Sequence, residues 1–217
     1  MTATGRRPAP QARERLTSAP MSKARRKASA GRGRGGALPP IAIVTSLYNR
    51  SITNELRDGA IEEYVARGGS LASLVLADAP GAFELASLSS AAARSGRVAG
   101  VVALGCVIKG ETRHDRYIAD AVAQSLAAVS VWTGVPVGFG VLTTENARQA
   151  RERAGGSKGN KGQEAMSAVL DAVRAIAALE RGQGYTISNE EQDETPSVKD
   201  KAAPAARRAG RSKASRA

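Results

Sequence analysis

The sequence is poor in the residues that carry most redox and metal chemistry. Its 217 residues include one cysteine, Cys106, and one histidine, His114. A lone cysteine excludes an internal disulfide framework and fits a reducing compartment. There is no HExxH, no CxxC and no Cys/His cluster, so no case for a metal arises. Aromatics are scarce, with two Phe, one Trp and four Tyr, so a core built from this chain is aliphatic and Ala-rich. No apolar run is long enough to span a membrane. An apolar segment of the secretory type is missing from the N-terminus, whose Arg, Ala and Ser suit either a solvated basic tail or an organelle transit peptide. The expected location is the cytoplasm, with an organelle as the alternative.

Charge is unevenly spread. Residues 1–39 hold ten Lys/Arg against one acid, Glu14, whereas residues 40–180 hold fourteen of each sign. Residues 181–217 begin acidic and end basic. The formal charge of +12 therefore belongs to the two ends. This divides the chain into a disordered basic extension (1–39), one domain (40–180) and a disordered charged tail (181–217).

Within the middle, strand and helix patterns alternate. Ile41 to Thr45, Leu71 to Ala77, Val98 to Ile108 and Val137 to Leu142 read as short buried strands. Helical spacing follows each: from Ser51, from Ala82 to Ser95, from His114 through Val122, Leu126, Val129 and Trp132, and over Asn146 to Ala154. Thr143-Thr144-Glu145 has the character of a helix cap, and a last helix spans Gln163 to Leu179. Four strand–helix repeats imply parallel strands with right-handed crossovers, a three-layer α/β domain.

In such a sheet the loops SLYN, APGAFE, KGETRH and TTEN leave one edge and are able to share one crevice. Tyr48 and Phe83 sit in two of them, as a stacking platform for a flat heterocycle or as simple loop packing. His114 opens a helix beside a Gly-flanked polar loop, and histidine is the side-chain type suited to proton transfer near neutral pH. The alternative is a helix-terminal histidine with no role. Arg148, Arg151, Arg153, Lys158 and Lys161 suit either an anion or solvent. GGSKGNKG lacks the Walker spacing, which excludes that nucleotide-binding loop. Serine has no G-x-S-x-G context.

The segments APGAFE (79–84), LGCVIKGETRH (104–114), FGVLTTEN (139–146), and ERAG followed by NKG (152–162) resemble the 6,7-dimethyl-8-ribityllumazine synthase family in order and spacing. The resemblance covers residues 40–180 and neither end. It implies a flavodoxin-like fold with a four-stranded parallel sheet. It also implies condensation of 5-amino-6-(D-ribitylamino)uracil with 3,4-dihydroxy-2-butanone 4-phosphate, with loss of phosphate and water and with no cofactor or metal. By the same resemblance Tyr48 stacks on the pyrimidine, and Ala82, Phe83, Glu84, Cys106, Val107 and Ile108 bind the ribitylaminouracil. Glu111 and Thr112 lie at the phosphate with Arg153 as its clamp, His114 transfers protons, and Phe139 reaches the ring pocket from a neighbouring subunit. Lys109 stands where many members have Arg, and Lys158 has no firm counterpart. Pentamers or sixty-subunit shells with sites between subunits are implied as well. The rival reading is an oligomeric ring-ligand-binding or nucleic-acid-binding protein that uses GRGRGG and the terminal basic runs for non-specific phosphate contact.

Overall fold

A computed structural model of the chain describes residues 38–187. The expected extensions 1–39 and 181–217 lie outside the described residues, apart from 38–39 and 181–187. Four strands, β1 (Ile41–Ser46), β2 (Leu74–Ala79), β3 (Gly100–Ile108) and β4 (Val137–Thr144), form one sheet in the order β2-β1-β3-β4. Every neighbouring pair is parallel. The helices are α1 (Arg50–Ala66), α2 (Leu85–Arg94), α3 (His114–Thr133), α4 (Ala147–Glu152) and α5 (Lys161–Glu180). The expected flavodoxin-like α/β architecture is the one found.

Strand alternation sends side chains to two cores. Ile41, Ile43, Val102, Leu104 and Leu142 pack with Leu56 and Tyr64 of α1 and Met166, Val169 and Leu170 of α5. Ala42, Val44, Val101, Ala103 and Val141 pack on the other face with Leu85 of α2 and Val122 and Leu126 of α3. β1 and β3 are buried on both sides, which is why they read as unbroken apolar runs. The edge strand β2 is half exposed along its length.

The α1–α5 seam is a close contact. A Cβ at Gly162 would lie 1.8 Å from the Leu56 carbonyl oxygen, so only glycine admits this approach. Asn160 caps α5 by accepting from the Gly162 amide at 2.8 Å, and its Nδ2 donates to the Glu55 carbonyl at 2.8 Å. At the other end, Arg67 donates to Glu63 (2.6 Å) and Asp171 (2.7 Å), joining the two helices with a partly buried ion pair.

Several local expectations are corrected. Residues Leu71–Ser73 form a single 3₁₀ turn, with the Ser70 hydroxyl accepting from the Ala72 amide. The second strand therefore starts at Leu74 and continues through Asp78-Ala79, past its expected end at Ala77. Residues 82–84 form a turn and α2 begins at Leu85. The cap of α4 is Asn146, which accepts from the Gln149 amide at 3.0 Å, rather than the threonines before it. GGSKGNKG is not a loop throughout: β5 (Ala154–Gly156) and β6 (Gly159–Asn160) pair as a small antiparallel hairpin. Trp132 falls beside the buried stripe Val122–Leu126–Val129 and is 84% exposed.

Candidate active site

The strand order reverses between β1 and β3. From β1 the chain moves outward to β2, then returns to place β3 on the other side of β1. Loops leaving the carboxyl ends of the two strands diverge there and open a crevice. A cavity of about 590 Å³ occupies that corner. Tyr48 and Asn49 line it from the β1–α1 loop, and Gly81, Ala82, Phe83 and Glu84 from the β2–α2 loop. Residues Cys106 to Gly110, Thr112, His114, Asp115 and Ile118 complete the lining from β3 and the start of α3. The loop after β4 adds no side chain to the lining, contrary to the expectation that all four loops share it.

The loop after β1 is held firmly. The Leu47 amide donates to the Ala79 carbonyl (2.8 Å), and the Thr53 hydroxyl to the Ser46 carbonyl (2.8 Å). Asn49 has left-handed backbone angles, φ 58° and ψ 42°, and its Nδ2 donates to the Cys106 carbonyl at 2.9 Å. Against this fixed frame two rings stand free, Tyr48 at 70% exposure and Phe83 at 61%. Both rings lie in the crevice, as expected for their loops, whereas the bond made by Asn49 was not expected. Its only signal was an asparagine at a loop tip, the residue type that tolerates the left-handed region.

At the end of β3 the Cys106 side chain is buried, and burial pushes its thiol up from 9.0 to about 11. Lys109 continues the ladder through its amide to the Thr144 carbonyl (2.8 Å), and its ammonium bonds Glu145 at 2.6 Å. That carboxylate raises the pKa of Lys109. The His114 amide approaches the Thr112 hydroxyl at 3.4 Å, so the exposed histidine is set at the first turn of α3 beside the crevice. Among the described residues no group of three or more His, Cys, Asp or Glu side chains is arranged to hold a metal ion.

Three expected site residues do not line this cavity. Glu111 is exposed in the loop before α3. Phe139 lies on the edge strand β4, 48% exposed. Arg153 closes α4, its Nη1 donating to the Gln149 carbonyl at 3.0 Å. Nor does the wider basic set converge there: Arg148 pairs with Glu152, and Lys161 with Glu164.

The geometry is a polar-mouthed crevice with two uncovered rings, one histidine and an apolar strand floor. Residues 39–177 match the family model of 6,7-dimethyl-8-ribityllumazine synthase. The chain is 46% identical over 116 residues to 6,7-dimethyl-8-ribityllumazine synthase 1 of Caulobacter vibrioides, covering 54% of this chain and 76% of that protein. It is 42% identical to the synthase of Nitratidesulfovibrio vulgaris over 138 residues, 64% of this chain and 88% of the relative. For the Thermus thermophilus synthase the identity is 42% over 141 residues, 65% and 90% of the two chains. The rival reading as a ring- or nucleic-acid-binding protein finds no support in these matches, and the basic runs that motivated it lie outside the described residues. No helix among the described residues is long and apolar enough to cross a membrane. The chain belongs to the 6,7-dimethyl-8-ribityllumazine synthase family and is a transferase of riboflavin synthesis.

Proposed function

We propose that the crevice between β1 and β3 is where this chain condenses 5-amino-6-(D-ribitylamino)uracil with 3,4-dihydroxy-2-butanone 4-phosphate, giving 6,7-dimethyl-8-ribityllumazine, phosphate and water. The carrying observation is that Tyr48 and Phe83, from two loops, and His114, from the start of α3, line one cavity. Exposed aromatic rings on a hydrogen-bonded loop suit a flat heterocycle, which covers apolar surface that water otherwise meets. Ala82, Glu84 and the strand end Cys106–Ile108 hold the ribitylaminouracil. The carboxylate of Glu84 suits the hydroxyls of the ribityl chain.

The 5-amino nitrogen attacks the ketone carbon. His114 takes the proton that this nitrogen sheds and returns one to the departing hydroxyl, which leaves as water and gives the Schiff base. The same imidazole serves the proton transfer that accompanies phosphate loss. Thr112 and Glu111 lie toward the phosphate end. Arg153 clamps the phosphate with a planar guanidinium, so the leaving group departs as a neutralised anion. No cofactor enters any of these steps.

Arg153 and Phe139 do not line the cavity of their own chain, so they are assigned to the crevice of an adjacent copy. Val131 and Trp132, 80% and 84% exposed on α3, are apolar surface suited to cover by another subunit. The reading is thus a homo-oligomer, a pentamer or a sixty-subunit shell, with each site shared between neighbours. Scarcity of cysteine suits the cytoplasm.

The test is a cofactor-free assay with the two substrates, following lumazine fluorescence. His114→Ala is expected to slow turnover by about 10² or more, the usual scale for a proton-transfer group. A folded, oligomeric protein that forms no product would overturn the reading.

A further inference from the structure

β3 outruns its neighbour. β1 ends at Ser46, and its register with β3 stops at Thr45 opposite Leu104. On the other side β3 stays paired with β4 through Ile108. The segment from Gly105 onward thus lacks a strand on its β1 side, although it forms the crevice floor. One carbonyl there, that of Cys106, receives the Asn49 Nδ2 at 2.9 Å across a separation of 57 residues.

Asn49 departs from local preference twice to make this bond. It is the only non-glycine residue with positive φ among the described residues. It also occupies the N-cap of α1, yet its side chain caps nothing in that helix, where an asparagine would ordinarily accept from the first turn. Its backbone carbonyl meanwhile receives the Ile52 and Thr53 amides at 2.8 and 3.1 Å. Unusual backbone held by surrounding bonds at a functional cleft points to a positional requirement.

Resting on the reading of Tyr48 as the stacking ring, we propose that Asn49 is a positioning residue that acts through Tyr48. Its amide replaces the ladder donor missing beyond β1 and locks the β1–α1 loop to the crevice floor. The adjacent Tyr48 ring is thereby held at a fixed height above that floor before substrate arrives, so binding does not have to order it.

The test uses the full-length chain in its native assembly with Asn49→Asp and Asn49→Gly. Both tolerate the left-handed backbone, but a carboxylate has no N–H to give Cys106 and glycine has no side chain. Hydrogen exchange at the Ile52 and Thr53 amides is expected to quicken about tenfold or more in both variants, with α5 amides unchanged. Wild-type protection in either variant overturns the tether, whatever the substrate. In kinetics, KM for the ribitylaminouracil is expected to rise about tenfold while KM for the butanone phosphate holds. Combined with Tyr48→Ala, the Asn49→Gly effect on that KM is expected to vanish, because both act through one ring. Full additivity overturns the proposed route through Tyr48. Tyr48→Ala alone leaving KM unchanged refutes the stacking reading and the route with it. The exchange result still decides the tether in that case.

Discussion

The α1–α5 seam and the β1–β3 crevice lie in one domain, and they are built on opposite terms. At the seam strong groups meet partners within the chain: the Tyr64 ring is fully buried with its hydroxyl donating to the Pro39 carbonyl at 3.0 Å. Arg67 joins two helices, and Gly162 has no side chain to hold them apart. At the crevice the backbone is equally well bonded, but the side chains are left uncovered. Tyr48, Phe83 and His114 face a cavity, while Arg153 and Phe139 sit outside it. A closed seam serves stability, whereas a firm but open crevice serves an external partner: substrate and, on the proposed reading, an adjacent copy.

The largest expected effect breaks the crevice without touching the seam. Arg153→Ala should lower kcat/KM by on the order of 10²–10³, the scale of removing one preorganised charge-stabilising donor, with an unchanged melting temperature. Because Arg153 is assigned to an adjacent site, inactive Arg153→Ala and His114→Ala chains, refolded together one to one, should regain about a quarter of wild-type activity by random placement in a symmetric assembly. No recovery from a mixed assembly would return Arg153 to its own chain.

The seam is broken from the opposite side. Gly162→Ala puts a methyl against the Leu56 carbonyl and should cost about 1–3 kcal/mol or more, read by denaturant melts, with the turnover of the folded fraction retained. Arg67→Ala leaves Glu63 without its cation and Asp171 with Arg174 alone, at 3.6 Å; both carboxylates are mostly buried (13% and 17% side-chain exposure). About 1–2 kcal/mol should be lost, as for other partly buried charge-assisted bonds.

Cys106 joins the two regions, since it lies on the central strand and lines the crevice. With its thiol pushed up from 9.0 to about 11, the folded chain holds its proton where the unfolded chain releases it. The stability tied to this proton is complete below pH 9 and falls as pH rises toward 11. Cys106→Ala should lack that component of the alkaline decline in stability. At pH 8 the thiolate fraction is about a hundredth of that of an ordinary thiol, so alkylation should be slower by at least that factor. The smallest effect is expected at Glu145→Gln. It removes an exposed pair with Lys109, and such pairs leave melting temperatures nearly unchanged.

Much of the fold was legible because its signals are local. Runs such as Ile41–Thr45 and Val101–Ile108 are apolar without alternation, as strands covered on both faces must be. Tyr48, Phe83 and His114 were legible as lining of the crevice because each lies in a loop or at a helix start, where the core explains it poorly. Other features carried a weak or misleading local pattern. Leu71–Ser73 runs straight into the apolar strand Leu74–Leu76, yet the Ser70 cap turns it into a 3₁₀ turn. Trp132 continues a helical period but lies where no layer covers it. The hairpin in GGSKGNKG is glycine-rich, with Gly155 and Gly159 at φ 109° and 74°, and glycine offers no hydrophobic pattern to read.

The sequence by itself determined the class, the four strand–helix repeats and the family, since periodicity and motif order survive without any contact being known. Tertiary structure alone decided the strand order β2-β1-β3-β4, and hence that the crevice opens between β1 and β3. It also decided that β3 extends past β1 and that Asn49 spans the gap. Strand adjacency and register arise from packing two helical layers on one sheet, a long-range balance that no local run of residues encodes.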